Sequence, residues 1–121
     1  MRSTDGWQLR SQSGAANAMR FEELRRSYHA HLGRDRAKLA TLSAQLAHAE
    51  NDATPVYDEL RQLARRMAGA AAIFEEVQIG TAAIALEQAA TAAGRSRADN
   101  SDTATWTALE NLVDLLKTSR S

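Results

Sequence analysis

Cysteine is absent, proline occurs once, and two residues each of Trp, Tyr and Phe are the only aromatics among 121 residues. Without cysteine there is no disulfide, no thiol nucleophile and no cysteine-type zinc site. Long apolar runs are missing too. None approaches the roughly 18 residues that a membrane span needs, and the N-terminus lacks the apolar core of a signal peptide. These absences point to a cytoplasmic chain. Charge of one sign is also lacking: 15 Lys and Arg balance 15 Asp and Glu, which argues against nucleic acid or an acidic membrane surface as a broad electrostatic partner. What is present in excess is alanine, the best helix former, at 25 positions. The composition predicts a single all-helical domain.

Residues 1–18, MRSTDGWQLRSQSGAANA, are polar, include Gly6 and Gly14, and hold no sustained period. They read as a flexible N-terminal tail in which Trp7 is the lone large apolar anchor. From Met19 a 3.6-residue pattern begins. Phe21, Leu24, Tyr28 and Leu32 share one face, and Leu39, Leu42, Leu46 and Ala49 form a second stripe. Gly33 either separates a helix at about 19–32 from one at about 35–50 or bends a single long helix. NDATP is a break, with Thr54 placed to cap the next helix and Pro55 suited to its first turn. That helix buries Leu60, Leu63, Met67, Ala70 and Phe74. A further stripe follows at Ile79, Ala83, Leu86, Ala90 and Ala93, stopping near Gly94. After the polar GRSRADNSD, caps at Ser101 to Thr103 open a last helix with Trp106, Leu109, Leu112, Val113 and Leu116 inward. The pattern predicts an all-α, up-and-down four-helix bundle over residues 19–118, with a short additional N-terminal helix.

The helix containing LARRMAGAAAIF has an unusual outer face. At 100° per residue Arg65 lies opposite Leu60, Leu63 and Met67. Arg61, Ala68 and Ala72 stand beside it, and Gly69 is one turn onward. Arg65 therefore projects to solvent among side chains too small to shield it. Glycine inside a helix costs on the order of 1 kcal/mol relative to alanine. The close approach of another protein is a physical reason to keep it.

LARRMAGAAAIFEEVQIGTAAIALEQA resembles the histidine-phosphotransfer (HPt) domain. The family signature is a helix reading His-x-x-Lys-Gly, or His-x-x-Ala-Gly in many bacterial members, followed by small residues and an apolar-glycine turn. The similarity covers about residues 20–118 and includes Ala85 to Glu87 of the following helix. In that family the exposed histidine accepts phosphate, and the glycine four residues later clears space for an incoming receiver domain. Here the histidine position is Arg65, Ala68 replaces the frequent lysine, and Glu75 stands where the turn glycine usually sits. Relay needs a neutral imidazole nitrogen, available at pH 7 because histidine titrates near 6.5. A guanidinium stays protonated and offers no free lone pair for in-line attack.

The resemblance thus implies a non-enzymatic docking module without a cofactor or metal. It would modulate two-component signalling by binding a response-regulator receiver domain, or a hybrid histidine kinase carrying one. Gln62, Arg65, Arg66, Ala68, Gly69 and Ala72 are expected at the contact, with Val77 and Ile84, seven apart and off the main stripe of their helix, adding apolar area. Other constellations are thin. His29 and His31 point about 200° apart on a helix. His48 is the histidine most open to an alternative relay role, although Asp52 rather than glycine lies four residues on. Asp58–Glu59 and Glu75–Glu76 are adjacent and diverge, so paired-carboxylate catalysis is not indicated. There is no phosphate loop, H-E-x-x-H motif or calcium loop. Close-packing alanine-rich helices also leave open a homodimer or a structural self-association module.

Overall fold

Helix boundaries follow from where backbone groups find partners. In the computed structural model, residues 2–49 and 51–118 are described, with side chains from residue 16 onward. Four helices account for most of them: α1 (Arg2–His48), α2 (Thr54–Ile73), α3 (Val77–Arg95) and α4 (Thr103–Thr118). No strand occurs among the described residues. The chain divides into two compact units, residues 1–31 and residues 32–121, the division falling within α1. The first unit is helical only, and its Phe21 and Leu24 are exposed rather than forming a core. The Arg25 guanidinium lies 5.5 Å from the centroid of the Phe21 ring. The indole of Trp7 lies outside the described side chains.

Gly33 neither separates two helices nor ends one. α1 runs through it, so no separate short N-terminal helix precedes the other elements among the described residues. A Cβ at Gly33 would meet nothing within 4 Å, and its neighbours Leu32 and Arg34 are good helix formers. Their preference outweighs one glycine.

In the second unit the core consists of Leu39, Leu42 and Leu46 from α1, Tyr57, Leu60, Leu63 and Met67 from α2, Ile79 and Leu86 from α3, and Leu109, Leu112 and Leu116 from α4, all almost fully buried. This is consistent with a four-helix bundle. Burying a leucine or methionine side chain contributes about 1.5–3 kcal/mol, so these stripes dominate the fold energetics. α2 packs on α3 and α3 on α4. The α2–α3 contact is close because alanines meet there: Ala64, Ala71, Ala82, Ala83, Ala90 and Ala93 are all buried. Two approaches fix its register. A Cβ on Gly80 would lie 3.5 Å from the Ala71 Cβ, and one on Gly94 would lie 3.9 Å from the Tyr57 Cβ. Moving from the first to the second advances α3 and retreats α2 by the same number of residues, so the two helices are antiparallel.

The caps differ in part from the sequence pattern. Thr54 does not cap α2: the N-cap position is Ala53, with no side-chain cap. Instead the Asp52 carboxylate accepts the Thr54 amide at 2.9 Å and the Thr54 hydroxyl. The hydroxyl is thereby used as a donor, and both bonds hold the Asp52 carboxyl below the usual carboxylate range. Asp102 caps α4, accepting the Thr105 amide at 3.1 Å and the Thr105 hydroxyl at 2.6 Å. Near these caps the Trp106 indole donates to the Asn100 carbonyl at 2.6 Å, Asn100 Nδ2 donates to the Ala47 carbonyl at 2.9 Å, and the Tyr57 hydroxyl donates to the Asp99 carbonyl. Burial chiefly raises the Tyr57 phenol above its ordinary value.

Both α2 and α3 end in a Schellman motif. After α2, the Glu76 amide donates to the Ala71 carbonyl at 2.9 Å and the Glu75 amide to Ala72 at 3.4 Å. After α3, the Ala98 amide donates to Ala93 at 2.9 Å and the Arg97 amide to Gly94 at 3.2 Å. The motif needs a left-handed residue, and here those residues are Glu75 (φ 57°) and Arg97 (φ 51°). Gly94, expected at the end of this helix, is still helical, and α3 continues to Arg95.

A side chain with a Cβ costs on the order of 1 kcal/mol in the left-handed region. Glu75→Gly and Arg97→Gly should each raise the unfolding free energy by up to about 1 kcal/mol in urea titrations. Glu75→Ala should give no comparable gain, because its Cβ keeps the strain. A loss of stability in both glycine variants would contradict this account of the helix ends.

Candidate docking surface

The outer face of α2 is sorted by three arginines with different partners. Arg61 Nη2 lies 2.7 Å from Asp58 Oδ1, and Gln62 Nε2 donates to Asp58 Oδ2 at 2.8 Å. The hydrogen bond from Arg61 is the main reason the Asp58 carboxyl lies below its ordinary range. Arg66 reaches the other way, with Nη2 at 3.4 Å from Asp35 Oδ1 of α1. Asp35 is mostly buried and accepts this tie from the far more exposed arginine. Arg65 is exposed and is the member of the trio with no ion pair among the described residues. Its neighbours are turned toward carboxylates of their own, leaving its guanidinium clear.

Beyond Arg65 the face becomes small. Ala68 is half-buried, while Gly69 and Ala72 are exposed. A Cβ at Gly69 would meet nothing within 4 Å, so no contact within the chain requires a glycine there. Where α2 meets α3 these small side chains leave an open groove of about 520 Å³, lined by residues including Ala68, Ala72, Glu75, Val77, Thr81 and Ile84. Val77 is 75% exposed and Ile84 48% exposed. Neither belongs to the core, and together they add apolar area to the groove.

Of the residues expected at the contact, Ala68, Ala72, Val77 and Ile84 converge on this groove. Arg65 lies one turn before Ala68 on the same face. Gln62 and Arg66 are exposed but held by Asp58 and Asp35. Sequence reasoning missed Ile73, which is 68% exposed at the end of α2. A signal existed: at 100° per residue Ile73 falls well off the Leu60, Leu63, Met67 stripe. It also missed Gly80, which lines the groove floor.

His48 is exposed in the last turn of α1, with Nδ1 2.7 Å from the Ala44 carbonyl. It belongs with the Ala47–Asn100 tie between α1 and the α3–α4 connection, whereas the groove opens at the α2–α3 connection. His29 and His31 are exposed as well. Among the described residues, no group of three or more His, Asp or Glu side chains could hold a metal ion, and no helix is long and apolar enough to cross a membrane.

If Gly69 is retained for an external contact, Gly69→Ala should stabilise the isolated chain by about 0.5–1 kcal/mol, the helix-propensity difference. Arg65→Ala should stay within about 0.5 kcal/mol of wild type, as an exposed substitution without partners. Chemical unfolding checks both, and a destabilised Gly69→Ala would reveal an internal role for the glycine. No protein-family model, no curated protein and no solved structure matches this chain.

Proposed function

We propose that the chain is a phosphotransfer-like docking module: an up-and-down helical bundle in the bacterial cytoplasm that binds a response-regulator receiver domain, or a hybrid histidine kinase carrying one, and accepts no phosphate. The observation that carries this reading is Arg65 itself, exposed and without an ion pair among the described residues, at the head of a groove of small and exposed apolar side chains. Two features support the resemblance on which it rests. Gly69, four residues after Arg65, faces open space. Glu75, at the family's turn-glycine position, has the left-handed backbone that glycine favours.

The chemistry follows from the substitution. A guanidinium is a fixed cation with planar donors, suited to hold a carboxylate rather than to attack phosphorus. Receivers of this class carry an acidic, magnesium-binding phosphorylation pocket. Arg65 would donate to one of those carboxylates and repel the metal, occupying the surface a true transfer domain needs. A shielded charge-assisted hydrogen bond contributes about 1.5–3 kcal/mol, or roughly tenfold to a hundredfold in affinity.

Calorimetric titration of the chain against receiver domains from the same genome tests this directly. Wild type should bind one receiver, Arg65→Ala should bind it roughly tenfold or more weakly, and Arg65→His should bind and gain acid-labile phosphate from the phosphorylated receiver. Phosphate appearing on the wild-type chain, and lost in His48→Ala, would overturn the proposal in favour of a relay. Failure of wild type to bind any receiver would leave only the fold.

A further inference from the structure

The groove has two chemically different ends. Arg65 lies on the α2 face leading into it, with no ion pair among the described residues. Glu75, exposed and lining the groove, closes it at the α2–α3 connection. Ten residues separate them, roughly 15 Å along the α2 axis. Between them lie Ala68 and Ala72 on one wall and Val77 and Ile84 on the other.

Glu75 occupies a backbone position, φ 57°, that glycine adopts without strain. A charged side chain there is costlier to the fold than glycine. Its place at the groove rim gives the charge something to act on.

We infer that the groove selects an amphipathic helix of the partner that carries an acidic residue at one end of its apolar stripe and a basic residue at the other. The acidic residue pairs with Arg65 and the basic one with Glu75. This rests on reading the face as a docking surface, and it adds a rule for orienting the occupant. A cleft between two antiparallel helices accepts a third running nearly along it. Along such a helix roughly 15 Å is ten or eleven residues, three full turns, so both charges fall on the side that also presents the apolar contacts. Opposite charges at the two ends favour one orientation of the occupant over its reverse, since the reverse places like charges together.

Three synthetic helical peptides test the inference against the full chain by calorimetry at low salt. They share one apolar stripe and differ in the pair placed eleven residues apart: Glu with Lys, Glu with Glu, or Lys with Lys. The mixed peptide should bind wild type best, by about tenfold. Glu75→Lys should shift the preference to the Glu–Glu peptide, and Arg65→Glu should shift it to the Lys–Lys peptide. Equal binding of all three, or preferences unmoved by either substitution, would overturn the charge rule. Binding of none would show that the groove takes no helix. Concentration-dependent dimerisation abolished by Val77→Asp would make a second copy the occupant and equally overturn it. A receiver titration run alongside separates the two readings: loss of receiver binding with the peptide preferences intact removes the receiver and leaves the charge rule.

Discussion

The close antiparallel contact of α2 with α3 is the constraint on which the remaining features depend. Alanines at 64, 71, 82 and 83, all buried, let the two backbones approach where larger side chains would hold them apart. Dispersion forces reward such contact collectively, while alanine gives up no rotamer entropy in making it. The larger core side chains, Leu60, Leu63, Met67, Ile79 and Leu86 among them, are buried in the same two helices. Core and outer groove are thus two consequences of one alanine-rich contact.

That contact also explains why Arg65 is available. Had the outer positions of α2 carried long side chains, Arg65 would be one polar group among many. Instead Arg61 and Gln62 engage Asp58, Arg66 engages Asp35, and the residues beyond are Ala68, Gly69 and Ala72. An isolated surface charge is worth little to folding. Its worth lies in what it meets when another surface excludes water. Exposed Ile73, Val77 and Ile84 supply the apolar area that such exclusion needs, and the fold does not use them.

Much of this was legible in the sequence, and the reason is periodicity. Leu39, Leu42 and Leu46, and Ile79 through Ala93, declare their inward faces at 3.6-residue spacing, and those faces are buried. The positions of Arg65, Ala68 and Ala72 opposite the core follow from the same arithmetic. What was not legible depends on backbone conformation and on competition between donors. Nothing in FEEVQ announces that Glu75 takes the left-handed region; only the hydrogen bonds closing α2 reveal it. Thr54 carries the chemistry of a cap yet spends its hydroxyl on Asp52. Gly33 looked able to break a helix, but local propensity weighs little against helix formers on both sides. Ile73 was passed over because it stands beside Phe74, and a residue adjacent to a core position reads as core unless its angle is computed.

The central claim is that the α2–α3 face around Arg65 is a binding surface for a receiver domain. The most direct measurement is amide chemical-shift mapping on the isotopically labelled full chain during addition of a receiver. The account predicts perturbations clustered from Gln62 to Ile84, largest near Arg65, Gly69 and Val77, with α4 unchanged. Perturbations centred on α4 or on residues 16–31 would place binding elsewhere and contradict it.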